Sequence, residues 1–130
     1  MRILFYTVLM GMLGAGSRYL IGLLFGSPLS TLTVNFLGCF LLAMVFDYFE
    51  TRWPKDLVGA VGTGFIGAFT TFSAFSTETV NLFIGGDYIF AVAYMGLSLL
   101  GGLAFALLGL QTAKAMETRA KTKDKGVRQT

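Results

Sequence analysis

Four long apolar blocks, separated by short polar breaks, dominate the pattern of hydrophobic and polar positions along the chain. The blocks cover residues 3–25, 29–49, 57–84 and 88–112. An α-helix rises about 1.5 Å per residue and the hydrocarbon core of a bilayer is about 30 Å thick, so each block can cross it as a helix. The blocks lack the period-two alternation of strands and are about twice as long as the strand of a membrane barrel. The pattern predicts an all-α membrane protein with four transmembrane helices.

Composition supports this prediction and narrows the chemistry. The 130 residues are 55% hydrophobic and 13% charged, and the charged share is about half that of a typical soluble domain. A soluble domain this short would have too little polar surface to cover itself. The chain has one Cys and no His, so a disulfide framework and a Cys/His zinc site are excluded, and the commonest general base is absent. These absences argue against an enzyme.

A glycine pattern within the third block admits two interpretations. Residues 62–67 read G-x-G-x-x-G, and Asp87 follows 20 residues after the last glycine, as in a dinucleotide-binding turn. Such a turn requires a preceding strand and further βαβ units, for which this chain has no room. We therefore favour a packing role, with Gly59, Thr63 and Gly67 at i, i+4 and i+8 forming a stripe of small residues between helices.

The distribution of basic residues predicts the orientation. With four spans, the N-terminus, the break around Arg52 and the tail after residue 113 lie on one side. That side holds nine of the ten Lys and Arg residues: Arg2, Arg52, Lys55, Lys114, Arg119, Lys121, Lys123, Lys125 and Arg128. Because basic residues near span ends stay in the cytosol, we expect residues 1–113 to form a four-span domain of the cell membrane in a single orientation. Both termini, including the basic tail 114–130, are expected in the cytosol.

Polar residues inside the blocks are candidates for function, since they are costly in lipid. Arg18 is the one cation within a span, and Asn35 lies a third of the way along the second. Either residue could have a simpler role, Arg18 by reaching the interface and Asn35 by bonding to a neighbouring helix. The third block contains the hydroxyls of Thr70, Thr71 and Ser73, beside phenylalanines 65, 69, 72 and 75 on one helical face.

Clustered Gly, Thr and Ser residues in the third block can also interrupt a helix and free its carbonyl groups. Such carbonyls persist at membrane depth only where protein buries them or an ion binds them. We expect an unwound segment over residues 67–75. On the fourth block, Tyr94, Ser98 and Gly102 follow one another at steps of four residues and place two hydroxyls on one face.

Three sequence segments together resemble one known family. The segment "GAFTTFSAFSTE" is similar to the G-x-x-T-T-F-S-T-F-S-x-E signature of the Fluc (CrcB) fluoride channels. The segments "GAGSRY" around Arg18 and "TLTVNFLG" around Asn35 resemble the same family in order and spacing. The likeness runs over all four spans and leaves only the tail outside it.

The resemblance implies a passive channel of the bacterial plasma membrane, through which cytosolic fluoride leaves the cell. It implies a dimer of antiparallel subunits, a third helix broken in mid-membrane, two pores, and a structural sodium ion at the interface. Matched position by position, the backbone carbonyls of Gly67 and Thr70 would bind the sodium. The residues matched to the pore and its mouth are Asn35, Phe72, Phe75, Ser73, Tyr94 and Ser98 in the pore, and Arg18 in the vestibule.

Two positions depart from the family pattern. Ala74 stands where the signature has Thr, and Gly102 stands where another hydroxyl is expected one turn beyond Ser98. Both changes remove donors from the expected pore wall. The bias of nine basic residues to one is also far from the balance that a chain inserting in both directions requires. A homodimer remains open, but we favour a heterodimer with a paralogous subunit of opposite orientation.

Other function classes fit the residues less well. A small multidrug-type transporter driven by protons would need a carboxylate in the first span, and residues 3–25 contain none. An assembly subunit that transports nothing remains an alternative, which a flux measurement distinguishes. Nothing in the sequence indicates binding of nucleic acid.

Overall fold

The protein is entirely helical over the described part of the chain. The computed structural model describes the backbone of residues 1–127 and the side chains of residues 1–122, so the side chains of Lys123, Lys125 and Arg128 lie outside it. The α-helices are α1 (Arg2–Phe25), α2 (Leu29–Met44), α3 (Lys55–Gly59), α4 (Gly67–Phe69), α5 (Phe72–Ile84) and α6 (Tyr88–Val127). Two π-helical stretches, Val45–Phe49 and Ala60–Ile66, continue α2 and join α3 to α4.

Four helical spans are long and apolar enough to cross a membrane: Arg2–Phe25, Leu29–Phe49, Lys55–Ile84 and Tyr88–Thr122. This confirms the predicted all-helical fold with four such helices. Their large apolar side chains are mostly on the outside; Leu24, Ile84 and Leu99 are 76%, 79% and 74% exposed. Apolar surface on this scale requires lipid or another protein to cover it.

Glycines set the closest helix crossings. A Cβ atom on Gly14 of α1 would lie 2.2 Å from the carbonyl oxygen of Phe65. A Cβ atom on Gly64 would lie 2.5 Å from the carbonyl oxygen of Thr7. Because only a residue without Cβ fits against a backbone this close, these glycines let α1 pack directly on the π-helical stretch.

Within the single subunit, the predicted stripe of Gly59, Thr63 and Gly67 does not form the face that packs on α1, and Gly64 takes that role instead. Thr63 and Gly67 are exposed, whereas Gly64 is buried against α1. The reason is the π-helical stretch Ala60–Ile66. Its hydrogen bonds reach five residues back instead of four, so a spacing of four no longer follows one face.

The helical backbone is interrupted between α4 and α5. Thr70 has φ −79° and ψ 161°, and Thr71 has φ −148° and ψ 120°, so both residues are extended. Residues on either side, Phe69 and Phe72, are helical. The extended segment is therefore two residues long, which is shorter than the unwound segment expected over residues 67–75.

Candidate functional site

The side chain of Asn35 forms a reciprocal pair of hydrogen bonds with the interruption. Its Nδ2 donates to the carbonyl oxygen of Thr71 at 3.0 Å, and its Oδ1 accepts from the Thr71 amide at 2.8 Å. The amide side chain thus pairs both the N–H and the C=O group of Thr71, an extended residue outside the regular helical hydrogen-bond pattern. Only an amide supplies a donor and an acceptor in this arrangement. Asn35 explains how an extended residue is stabilised at this point.

The same bonds change what the preceding carbonyl groups can do. In an unbroken α-helix the Thr71 amide would donate to the carbonyl of Gly67, but here it donates to Asn35. The Gly67 carbonyl therefore loses its α-helical donor. The Thr70 carbonyl faces Arg18, whose Nη1 lies 3.5 Å away. The Gly67 carbonyl thus precedes the interruption, and the Thr70 carbonyl belongs to it and accepts a hydrogen bond from the cationic side chain of Arg18.

Thr71 also begins the next helix. Its Oγ1 accepts from the amide of Ala74 at 3.2 Å and lies 3.3 Å from the hydroxyl oxygen of Ser73. This is an N-cap, in which a side-chain oxygen satisfies an amide of the first helical turn. The backbone of Thr71 is thus held by Asn35 and its side chain starts α5.

An aromatic cavity of about 420 Å³ lies on one side of Thr71. Predicted site residues from three spans line this cavity, together with residues that the sequence analysis did not single out. Its lining includes Asn35, Gly38, Cys39, Thr70, Thr71, Phe72, Phe75, Ser98 and Gly102. The Phe72 and Phe75 ring centroids are 5.8 Å apart, and Phe72 is 79% exposed in the single subunit.

A polar cavity of about 590 Å³ lies on the other side of Thr71. Hydroxyl and charged side chains dominate its wall, which includes Arg18, Ser27, Thr31, Thr71, Ser73, Ala74, Thr77 and Glu78. The predicted vestibule residue Arg18 and the predicted pore residue Ser73 therefore border this cavity, and Thr71 borders both. The wall of the polar cavity thus contains both the guanidinium of Arg18, which lies next to the interruption, and the carboxyl group of Glu78.

Glu78 is the residue of the site that sequence reasoning missed. Its Oε1 accepts from the hydroxyls of Ser27 and, at 2.8 Å, Thr31, and its Oε2 accepts from the hydroxyl of Tyr94. The signal was available, since Glu78 is a carboxylate inside an apolar block and ends the matched motif. The network links α5 to α2 and α6 beside the polar cavity.

The two hydroxyls predicted on α6 have different surroundings. Tyr94 is 6% exposed, and its hydroxyl is bonded to Glu78 while its ring lies 5.3 Å from that of Phe75. The Ser98 hydroxyl oxygen is buried and, among the residues with described side chains, has no hydrogen-bond partner. Ser98 borders the aromatic cavity, so an unpaired donor lies beside Phe75 and Asn35.

Comparison with known proteins identifies the family. The family described as "CrcB-like protein, Camphor Resistance (CrcB)" matches residues 5–110. The chain belongs to the CrcB family. The match includes all four spans, the helix interruption and both cavities, and it ends before the tail.

Curated relatives of this family carry channel names. "Fluoride-specific ion channel FluC 1" of Desulfitobacterium hafniense (strain Y51) is 46% identical over 112 residues, 82% of this chain and 98% of the relative. A protein of the same name from Bacillus cereus (strain ATCC 10987 / NRS 248) is 44% identical over 119 residues, 84% of this chain and 87% of the relative. "Fluoride-specific ion channel FluC 2" of Listeria innocua serovar 6a (strain ATCC BAA-680 / CLIP 11262) is 43% identical, covering 80% of this chain and 84% of the relative.

These names describe ion channels, and none describes an enzyme or a multidrug transporter. Together with the four membrane-spanning helices, they confirm a multi-pass membrane protein of a channel family. The predicted resemblance to that family is also confirmed.

Proposed function

We propose that the chain is a subunit of a fluoride-specific ion channel, through which cytosolic fluoride leaves the cell passively and its toxicity falls. The observation that carries this proposal is the convergence of hydrogen-bond donors and phenylalanines at the helix interruption. The Asn35 amide, the unpaired Ser98 hydroxyl, Phe72 and Phe75 all border one cavity. Relatives at 43–46% identity named fluoride-specific channels support it.

The donors suit a small, strongly hydrated anion. Such an ion enters a protein only where donors replace its water. The Asn35 NH₂ group has two N–H bonds; one is used on the Thr71 carbonyl, and the other is available to an anion. The hydroxyl of Ser98 and the positive ring edges of Phe72 and Phe75 add further favourable contacts. Conduction requires only that these sites bind weakly enough to release the ion.

The polar cavity would serve as the entrance to this path. Arg18 would attract an anion towards Thr71, which borders both cavities. Ser73 adds a hydroxyl at the same wall. Tyr94, whose hydroxyl is bonded to Glu78, would contribute to the path mainly through the ring that packs on Phe75.

A structural sodium ion fits the carbonyl groups beside the interruption. Sodium prefers hard oxygen ligands, as calcium and magnesium do. The Gly67 carbonyl has lost its helical donor to Asn35, and the Thr70 carbonyl ends the helical segment. In an antiparallel dimer the partner would add an equal pair of carbonyls, with the interruptions crossing at mid-membrane. The bound cation would offset the carbonyl dipoles and raise the local potential for an anion.

We further propose that the working unit is an antiparallel heterodimer with a paralogous subunit. The 79% exposure of Phe72 leaves a pore residue uncovered until a partner packs on it. The bias of nine basic residues to one favours a single orientation with both termini in the cytosol, so the inverted partner would be a different chain. Relatives named FluC 1 and FluC 2 suit organisms with two such chains.

Efflux of fluoride from liposomes tests the function. The chain is reconstituted alone and with a candidate paralogous subunit, liposomes are loaded with fluoride or chloride, and efflux is followed with ion-selective electrodes. We expect fast fluoride efflux from the two-subunit liposomes and little chloride efflux from either. Absence of fluoride efflux in both preparations would show a non-transporting subunit, and robust efflux from the chain alone would show a conducting homodimer.

A further inference from the structure

Cys39 is the one titratable side chain in the wall of the aromatic cavity. It is the only cysteine of the chain and is half-buried on α2. It also borders a third cavity of about 370 Å³, lined by Leu42, Phe46 and Asp47 among others. Cys39 therefore lies where the aromatic cavity meets the space leading towards the end of α2.

The Cys39 thiol lies next to Gly102, the position on α6 that lacks a hydroxyl one turn beyond Ser98. Ser98 and Gly102 are one helical turn apart and both border the aromatic cavity. Gly102 offers no side chain, but a Cβ atom at that position would lie 3.5 Å from the Sγ of Cys39. The thiol of α2 thus lies in the space next to Gly102 that a side chain of α6 would enter.

An independent observation indicates that this wall receives a ligand. The Ser98 hydroxyl oxygen is buried and has no partner among the side chains described. A buried hydroxyl without a partner costs free energy, and an acceptor that entered the cavity beside Ser98 would remove this cost. An acceptor between Ser98 and Gly102 would also contact the Cys39 thiol, which is a weak donor.

We propose that Cys39 is a pore-wall residue whose thiol takes the place of a hydroxyl at Gly102 and helps to set the rate of anion passage. This inference rests on the proposed channel function and deepens it. Because the thiol is also a soft ligand, the path is open to block by a thiol-binding metal ion at Cys39. The thioether of Met95 in the same wall is a second soft ligand, so it is removed in the test. Silver(I) would bind the sulfur, the S–H proton would leave to water, and the bound metal would fill the passage.

Fluoride efflux from liposomes tests the donor role. The conducting assembly is prepared in three forms, in which this chain is wild type, Cys39→Ala or Cys39→Ala/Gly102→Ser. Any partner subunit carries no cysteine. Loss of a single hydrogen bond predicts an efflux rate about 3- to 10-fold lower for Cys39→Ala. Gly102→Ser has room beside the shortened side chain and should restore the rate to within about 2-fold, the spread expected among equivalent neutral donors.

A matched control places the new hydroxyl elsewhere on the same helix. Ala104 is exposed on α6, so Cys39→Ala/Ala104→Ser should stay as slow as Cys39→Ala. If Cys39→Ala conducts as well as wild type, or if Ala104→Ser rescues as well as Gly102→Ser, the proposal is overturned.

Silver(I) provides a second readout that a packing role would not produce. In chloride-free buffer, and with Met95→Leu in every protein to remove the other soft ligand of the wall, silver nitrate should stop efflux through the chain that keeps Cys39 and leave Cys39→Ala unaffected. Equal sensitivity of the two proteins would also overturn the proposal. A wild-type assembly that passes no fluoride at all would instead contradict the proposed channel function, so the two failures are distinguishable.

Discussion

At the scale of single residues, the two hydrogen bonds of the Asn35 side chain hold the helix interruption in place. Both ends of its amide are bonded to the backbone of Thr71. In Asn35→Asp the Nδ2 donor is replaced by a carboxylate oxygen that faces the Thr71 carbonyl. We expect a loss of stability of about 1–3 kcal/mol, because a partly buried carbonyl loses its donor and faces a carboxylate oxygen, and a fall in fluoride efflux of at least an order of magnitude.

Thermal unfolding in detergent and liposome efflux together measure the effect of Asn35→Asp. Thr33→Ala is the matched control on α2, since the Thr33 hydroxyl bonds only to the carbonyl of Leu29 in its own helix. It should change neither quantity appreciably. Wild-type efflux from Asn35→Asp would show that the amide does not hold the conducting arrangement.

Gly38 tests how closely α2 must approach the interruption. A Cβ atom there would lie 2.1 Å from the Cγ2 of Thr70, and the Thr70 hydroxyl is tied to the Ile66 carbonyl at 3.0 Å. Gly38→Ala should therefore push Thr70 aside, at a cost of about 1–3 kcal/mol for overpacking, and reduce efflux. Gly96→Ala meets no atom within 4 Å and should be neutral or slightly stabilising; similar behaviour of the two variants would contradict the predicted close contact.

At the scale of helices, the crossing of α1 with the π-helical stretch depends on glycine. The atom that a Cβ on Gly14 would meet, at 2.2 Å, is the backbone oxygen of Phe65, which cannot rotate away as a side chain can. Gly14→Ala should separate the two helices and lower stability by about 3 kcal/mol, the upper end for overpacking. Gly16→Ala, two residues further along α1 with no atom within 4 Å, is the control for thermal unfolding. Equal unfolding temperatures would refute the close crossing.

The helices themselves could be predicted from sequence, whereas their irregular parts could not. Span length and hydropathy are local properties, so four helices able to cross a membrane follow directly from the apolar blocks. The two-residue length of the interruption depends on a tertiary bond from Asn35 to Thr71, and no local pattern contains it. The π-helical stretch Ala60–Ile66 shifts the register of the glycines for the same reason, because tertiary contacts with α1 select it.

The same limit applies to the candidate site. The resemblance to the family pointed to Asn35, Phe72, Phe75 and Ser98, and the structure places all four around one cavity. Their roles in conduction stay predictions. Glu78 went unrecognised because its three hydroxyl partners come from other helices or loops, and a single carboxylate in a sequence does not show them. The pairing of Cys39 with Gly102 is likewise visible only after α2 and α6 are packed.

At the scale of the whole molecule, charge should decide how the subunit inserts and with what it pairs. Six of the nine basic residues on the expected cytosolic side lie in the tail 114–130, close enough to the last span to direct its orientation. A reporter Glu50→Cys in the Cys39→Ala background places one thiol on an exposed position of the loop before α3. A membrane-impermeant maleimide should label it only after cells are permeabilised.

Removing the excess of basic residues on the cytosolic side should let the chain insert into the membrane in both orientations. The tail lysines and arginines are changed to Gln, and Asp87→Lys adds a positive charge to the opposite loop. This leaves Arg2, Arg52 and Lys55 on one side, against one introduced lysine and Arg18. Part of the reporter should then be labelled in intact cells, and this chain alone should gain fluoride efflux, since antiparallel pairs of identical subunits become possible. If the unaltered chain is already labelled from outside, its charge does not fix one orientation, and the case for a paralogous partner is lost.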